Sequence, residues 1–284
     1  MAEPKCIYCM KPNTEPSQEH VVAESLGGNL LLCAEAVCKG CNNGVLNDDI
    51  DIPIRNALEP ILVEHEIVGK SGEAPTMRVT ELDAEEGRRK YIVSKKMIES
   101  AERRKLLSKE TIEGGHEYYF RANSEDEFEK IKAEMKKRYP NATVTIEDVT
   151  KRPLELPDEH MFELDFRAPH WSRWAAKTCL NLIAHVWGTG AARAEDFDEL
   201  RHHAMGKKQD KPAGLQVGGI GADKVYDKDL APTHEIKLCC KDGQLTATMK
   251  TFECCHWKYV CKAPSLDPKD KCITIDARGS RELT

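Results

Sequence analysis

Two Cys-x-x-Cys pairs, Cys6 with Cys9 and Cys38 with Cys41, constrain this chain more than anything else in it. Together they supply four thiolates, the ligand set of a tetrahedral Zn²⁺ with Zn–S distances of about 2.3 Å. The first 56 residues are rich in Cys, Gly and Asn and short of helical periodicity. Such a stretch buries little apolar surface and needs a metal to fold. A redox site is the competing reading, but it more naturally uses one such pair beside a βαβ unit. Cys33 adds a fifth thiol nearby, but it falls short of the position needed to replace Cys38. A zinc held by four cysteines has no open position, so it is structural and catalyses nothing itself.

The twelve cysteines favour ligands over disulfides if the compartment is reducing. The N-terminus lacks the apolar core of a secretory signal and no long apolar run is present, so the sequence reads as cytoplasmic with no membrane span. Net charge is −6 over 284 residues, which argues against a protein that coats nucleic acid. Residues 1–70 hold five Lys/Arg against eleven Asp/Glu, so the deficit lies there and the remainder balances. Within that remainder, residues 88–109 carry nine basic and two acidic side chains. Arg88, Arg89, Lys90, Lys95, Lys96, Arg103, Arg104 and Lys105 are therefore the candidates for gripping a phosphate backbone. A solvated charged face is the plainer reading of the same run.

Three stretches differ in texture, with boundaries read at 1–56, 57–150 and 151–284, the last two readable also as one body. A helix is expected to start near Pro53. Strands are expected at 76–83, 89–94, 116–122 and 142–149, with a helix over 124–139 opened by Ser124 as N-cap. A strand over 153–166 should precede a helix over 170–187 ended by Gly188, whose Trp174, Cys179, Leu182, Ile183 and Val186 mark a buried face. A short helix at 195–205, a long surface loop at 206–224 and an antiparallel meander over 234–263, turning at Asp242-Gly243, complete the pattern.

Between the knuckles, Glu19, His20 and Asn29, with Asn42 and Asn43 after them, are the candidates for chemistry. A neutral imidazole suits proton removal from water near pH 7, while carboxylate and amide oxygens are hard ligands for Mg²⁺. Such a set can place water in line with a phosphodiester. The stretches "CIYC", "EHVVAESLGG" and "VCKGCNN" resemble, in order and spacing, the HNH endonucleases, whose ββα-metal site is often braced by two such knuckles. The resemblance covers residues 6 to about 51. It implies His20 as general base, Glu19 and Asn42 as ligands of a catalytic Mg²⁺ or Mn²⁺, and Asn29 as the residue that orients the His20 loop. Cys6, Cys9, Cys38 and Cys41 would hold structural zinc. Ala23 stands where the family usually has a proline. Stand-alone HNH proteins with an extra domain often serve bacterial restriction or anti-phage defence, and DNA is the substrate implied.

The fold class expected is α+β: an N-terminal zinc-braced ββα-metal module on a larger α+β body with a C-terminal antiparallel β-meander. Alternative readings are a zinc-dependent module that binds nucleic acid or a partner without catalysis, and an RNA nuclease; an activating partner or oligomer is not readable. The acidic balance of 1–70, with two more negative charges from four thiolates on one zinc, implies that 1–56 alone binds nucleic acid poorly. The tail cysteines 239, 240, 254, 255, 261 and 272 read as sheet thiols, with a second zinc as the alternative; adjacent ones should face opposite sides of a strand. His185, Arg201, His202 and His203 read as packing or surface residues, and Trp171 as core or a base-stacking platform. No phosphate-cradling glycine loop and no Gly-x-Ser-x-Gly occurs.

Overall fold

The structure, a computed structural model, describes residues 4–69, 72, 75–83, 87–93, 98–100, 107–110, 116–119, 125–138, 166–219, 232–278 and 282–283. The chain divides into two units, Met1–Pro75 with Met161–Thr284, and Thr76–His160. The sequence placed its boundaries at 56 and 150 instead. The first 75 residues share a unit with the C-terminal part because one apolar cluster serves both. Ile7, Leu26, Leu46 and Ile50 belong to the same cluster as Trp171, Trp174, Trp257 and Ile275.

In the first unit, β1 (Pro16–Ser17) pairs antiparallel with β2 (Val37–Cys38), Pro16 opposite Cys38. Helical chain follows at once: α1 (Lys39–Cys41), a wider π-helical stretch (Asn42–Asp51), α2 (Ile52–Ala57) and α3 (Glu59–Glu64). This is the ββα order. Helix therefore begins well before Pro53, where the sequence had placed it. Leu46, Ile50, Ile54 and Leu58 recur every fourth residue and are fully buried, the stripe of an amphipathic helix. Pro53 stands at the junction where the π-helical stretch passes into α2.

The second unit holds a three-stranded antiparallel sheet of β3 (Met77–Asp83), β4 (Gly87–Val93) and β5 (Ile98–Ser100). A separate ribbon pairs β6 (Leu107–Glu110) with β7 (His116–Tyr119), and α4 spans Glu125–Arg138. β3, β4, β7 and α4 match the strands and helix expected from the sequence, whereas β5 and β6 were not expected. The strand expected over 142–149, and that over 153–166 as far as residue 165, lie outside the described residues.

The first unit resumes with α5 (Pro169–Trp187), α6 (Thr189–Ala192), a 3-10 turn (Glu195–Phe197) and α7 (Asp198–Ala204). Residues 174–184 of α5 are buried on every side, so the single apolar face read from the sequence understates it. A six-stranded sheet follows: β8 (Leu215–Gly219), β9 (Thr233–Lys241), β10 (Gln244–Thr251), β11 (Cys255–Lys262), β12 (Lys269–Asp276) and β13 (Glu282–Leu283). Its order is β13-β12-β9-β10-β11-β8 and its neighbours run antiparallel. Asp242 and Gly243 both have positive φ (50° and 69°) between the paired Lys241 and Gln244, the two-residue turn whose twist suits a hairpin.

The loop expected at 206–224 instead contributes an edge strand. Its Leu215 is buried and pairs with Tyr259 across to β11. Glycines on both sides of this short run hid a strand of only five residues. No helix among the described residues is long and apolar enough to cross a membrane.

Candidate zinc site and acid–histidine site

Cys6 and Cys9 flank the chain's first tight turn, where the Tyr8 N–H donates to Cys6 Sγ at 3.4 Å. Cys38 ends β2 and Cys41 ends α1, three residues on. The four Sγ atoms lie within 4.8 Å of one another. Cys9 and Cys38 are 3.8 Å apart, which matches the edge of about 3.8 Å that a tetrahedron with Zn–S bonds of about 2.3 Å requires. A hydrogen bond from Cys41 holds the Cys6 thiol down at about 4, and the same bond pushes Cys41 up. These residues fit a structural Zn²⁺, and Cys33, which is exposed, stands outside the set. Among the described residues this is the one group of three or more His, Cys, Asp or Glu side chains able to hold a metal.

Glu19 and His20 lie just beyond β1. The Leu32 N–H donates to Glu19 O at 2.9 Å, the Val21 N–H donates to Leu30 O at 2.8 Å, and His20 bridges antiparallel to Leu31. The resulting loop closes on itself through Leu26-Gly27-Gly28. A Cβ on Gly28 would run into the Val22 carbonyl, so only glycine lets the two ends approach this closely. Neighbouring side chains of a strand face opposite ways. His20 is half-buried, whereas Glu19 is only 4% exposed.

The inward side meets α5. Glu19 Oε1 pairs with Lys177 Nζ at 2.8 Å and accepts from Asn181 Nδ2 at 3.1 Å. Lys177 Nζ also meets Asp51 Oδ2 at 2.6 Å, and Asn181 Nδ2 donates to His20 O at 2.9 Å. Tyr8 lies beneath them, its hydroxyl 2.5 Å from Asn181 Oδ1. Burial pulls the Lys177 ammonium down, but Asp51 and Glu19 outweigh it and leave it above its ordinary value. Burial pushes the Asp51 carboxyl up, and pushes the Tyr8 hydroxyl far up, so it remains a neutral donor.

The C-terminal part grips the knuckle region elsewhere too. Arg201 Nε donates to Ile7 O at 2.7 Å, and His234 Nε2 donates to Leu26 O at 2.8 Å. His234 is wholly buried, which holds its pKa down at about 4 and keeps it neutral.

Asn42 opens the π-helical stretch directly after Cys41. Its Nδ2 donates to Ser17 Oγ at 3.0 Å and to Gln18 O at 2.8 Å. Both donors of the amide are therefore spent on the residues that lead into Glu19-His20, and Oδ1 is the atom left to offer. Asn43 is exposed. Asn29, expected to orient the His20 loop, has its Oδ1 buried without a hydrogen bond. Tyr8, Asp51, Lys177 and Asn181 did not figure in the sequence reading. The available signal was a pair of polar residues four apart inside the apolar run of α5, which an apolar-stripe search passes over.

Of the basic candidates, Arg88, Arg89 and Lys90 lie on β4. Lys95, Lys96, Arg103, Arg104 and Lys105 lie outside the described residues. Trp171 is 1% exposed, so it is core and no base can stack on it. Arg201 and His203 are buried packing residues, and His203 Nε2 lies 2.9 Å from Ser172 Oγ. The tail cysteines gather no metal set among the described residues. Cys254 and Cys255 are both buried rather than on opposite faces, because Cys254 precedes β11 and does not follow its alternation.

Two short strands, a helix and a four-cysteine knuckle pair beside an acid–histidine dipeptide define a zinc-braced ββα arrangement. Residues 6–59 match the family model described as HNH endonuclease. Comparison with curated proteins and with solved structures found no match.

Proposed function

We propose that the protein is a metal-dependent HNH-type endonuclease that hydrolyses phosphodiester bonds in DNA. The observation that carries this reading is the docking of Asn42 onto Ser17 and Gln18. It brings the helix that follows the zinc knuckle against the segment leading into His20. His20 takes a proton from water as the water oxygen forms its bond to phosphorus and the ester oxygen leaves. Asn42 Oδ1 and Glu19 would hold Mg²⁺ or Mn²⁺, which, when bound, supplies charge stabilisation to the leaving oxygen. With Oε1 taken by Lys177 and Asn181, Oε2 is the Glu19 atom left for that purpose. Magnesium normally takes one or two protein oxygens and completes its shell with water and phosphate, so so sparse a set suffices. The four cysteines hold zinc as a brace. A role in restriction or defence belongs to the same proposal, as does a contribution from the basic run at 88–105.

One observation favours a second reading, a zinc-dependent binding module without catalysis: Glu19 already has a cation, Lys177, at 2.8 Å. Plasmid DNA and structured RNA incubated with Mg²⁺ or Mn²⁺, beside a His20→Ala control, separate the readings. Cleavage lost by about 10²–10⁴-fold in the variant supports His20 as base. Equal cleavage by both removes it, and binding without cleavage favours the second reading. RNA cut in preference to DNA overturns the substrate.

A further inference from the structure

The orientation of the His20 loop falls to a residue that arrives more than 150 positions later in the chain. Asn181 Nδ2 donates both to Glu19 Oε1 and to the backbone oxygen of His20, so one amide clamps both members of the dipeptide. Its direction is fixed by chemistry. Both neighbours of Nδ2 only accept, and the Tyr8 hydroxyl beneath supplies Oδ1 with its donor. Asn181 is fully buried and sits in the middle of α5, a helix of 19 residues, so the clamp is mounted on a rigid element. Lys177, one turn earlier, holds the same Oε1 and is itself held by Asp51 at 2.6 Å. Asn29, by contrast, leaves its buried Oδ1 without a hydrogen bond.

We propose that Asn181 is the positioning residue of the acid–histidine dipeptide, so that the nuclease site is completed by the C-terminal part of the chain and residues 6–59 are insufficient by themselves. The inference rests on the nuclease reading for its catalytic consequence but not for its structural one. A fixed carbonyl at His20 and a fixed Oε1 at Glu19 set where the imidazole and Oε2 face. Misplacement of a catalytic group by about 1 Å costs roughly a hundredfold in rate.

The test uses the full chain with Asn181→Ala and the milder Tyr8→Phe, which keeps the amide but removes the donor that orients it. Amide exchange by mass spectrometry is read over 19–32, where the Val21 and Leu32 N–H groups close the loop. The expected result for Asn181→Ala is exchange about tenfold faster in that segment. Exchange in β9 to β12 should not change, and Tyr8→Phe should give a smaller effect of the same pattern. In the active enzyme, kcat falls by roughly ten- to a hundredfold with KM unchanged. If Asn181→Ala does not fold, the Tyr8→Phe pattern decides. Unchanged exchange over 19–32, faster exchange spread evenly through the chain, or an unchanged kcat despite local loosening each overturns the proposal. A wild-type protein that cuts nothing defeats the nuclease reading instead, while the exchange pattern still decides whether Asn181 holds the loop.

Discussion

Cysteine has opposite fates at the two ends of this chain. At the N-terminal end four of them converge on a point, with Sγ atoms within 4.8 Å, between two strands of only two residues each. In the C-terminal sheet, Cys240 and Cys255 lie in the core as small apolar side chains, and Cys239 and Cys272 face outward. The difference follows from backbone form. A Cys-x-x-Cys turn folds two thiols back toward each other, whereas a strand's pleat spreads its side chains over two faces. One region therefore gathers thiols into a set that fits an ion, whereas the other spreads them so that alternation buries apolar area.

Zinc removal breaks this comparison most forcefully. Structural zinc sites bind with on the order of 10 kcal/mol, comparable with the whole stability of roughly 5–15 kcal/mol of a folded domain. Chelation, or Cys41→Ser, should bring zinc below one per chain by elemental analysis. It should also abolish amide protection over 6–59 while β9 to β12 retain theirs. Protection of 6–59 that survives zinc loss would mean that the staples from α5, α7 and β9 suffice by themselves.

Those staples explain what the sequence showed and what it hid. The cysteine set was legible because its spacing is local: the two members of each pair stand three residues apart in one turn. The meander, α4 and α5 were legible from period and turn chemistry. The helix at 39–57 was partly missed, since Asn and Gly at 42–44 masked the four-residue recurrence of Leu46, Ile50, Ile54 and Leu58. Lys177 and Asn181 were illegible for a different reason. A lysine inside an apolar helix reads as its solvent side until the partners are known, and Glu19 and Asp51 lie more than 120 residues away. Burying an ammonium is tolerable only beside such carboxylates, so it is tertiary structure that gives this residue its meaning.

His234 tests whether the two regions act as one. Its imidazole comes from β9 and donates to Leu26 O in the loop that follows Glu19 and His20. Burial holds its pKa at about 4 in the folded chain, against 6.5 when unfolded. Between those values the unfolded state takes up a proton that the folded state refuses. Stability is therefore full above about pH 6.5 and declines as pH falls toward 4, by about 3 kcal/mol at most. His234→Gln keeps an N–H near the position of Nε2 but cannot titrate. Urea denaturation at pH 7 and pH 5 should show a smaller loss on acidification in the variant than in the wild type. His203, whose pKa burial also depresses, adds a slope of the same sign to both proteins, as does protonation of the zinc cysteines, so the difference between the two isolates His234. Identical slopes would break the coupling.

The smallest effect sharpens the comparison from the other side. Cys239 and Cys272 are exposed on β9 and β12, and neither belongs to a metal set. Surface substitutions away from a special feature stay within about 0.5 kcal/mol. Cys239→Ser and Cys272→Ser should therefore leave the urea midpoint and the zinc content as they are, whereas the same change at Cys41, also from thiol to hydroxyl, should remove the ion and unfold the module around it. A loss of zinc from either sheet variant would show that the C-terminal thiols do take a metal, and the contrast between the two ends of the chain would then fail at its root.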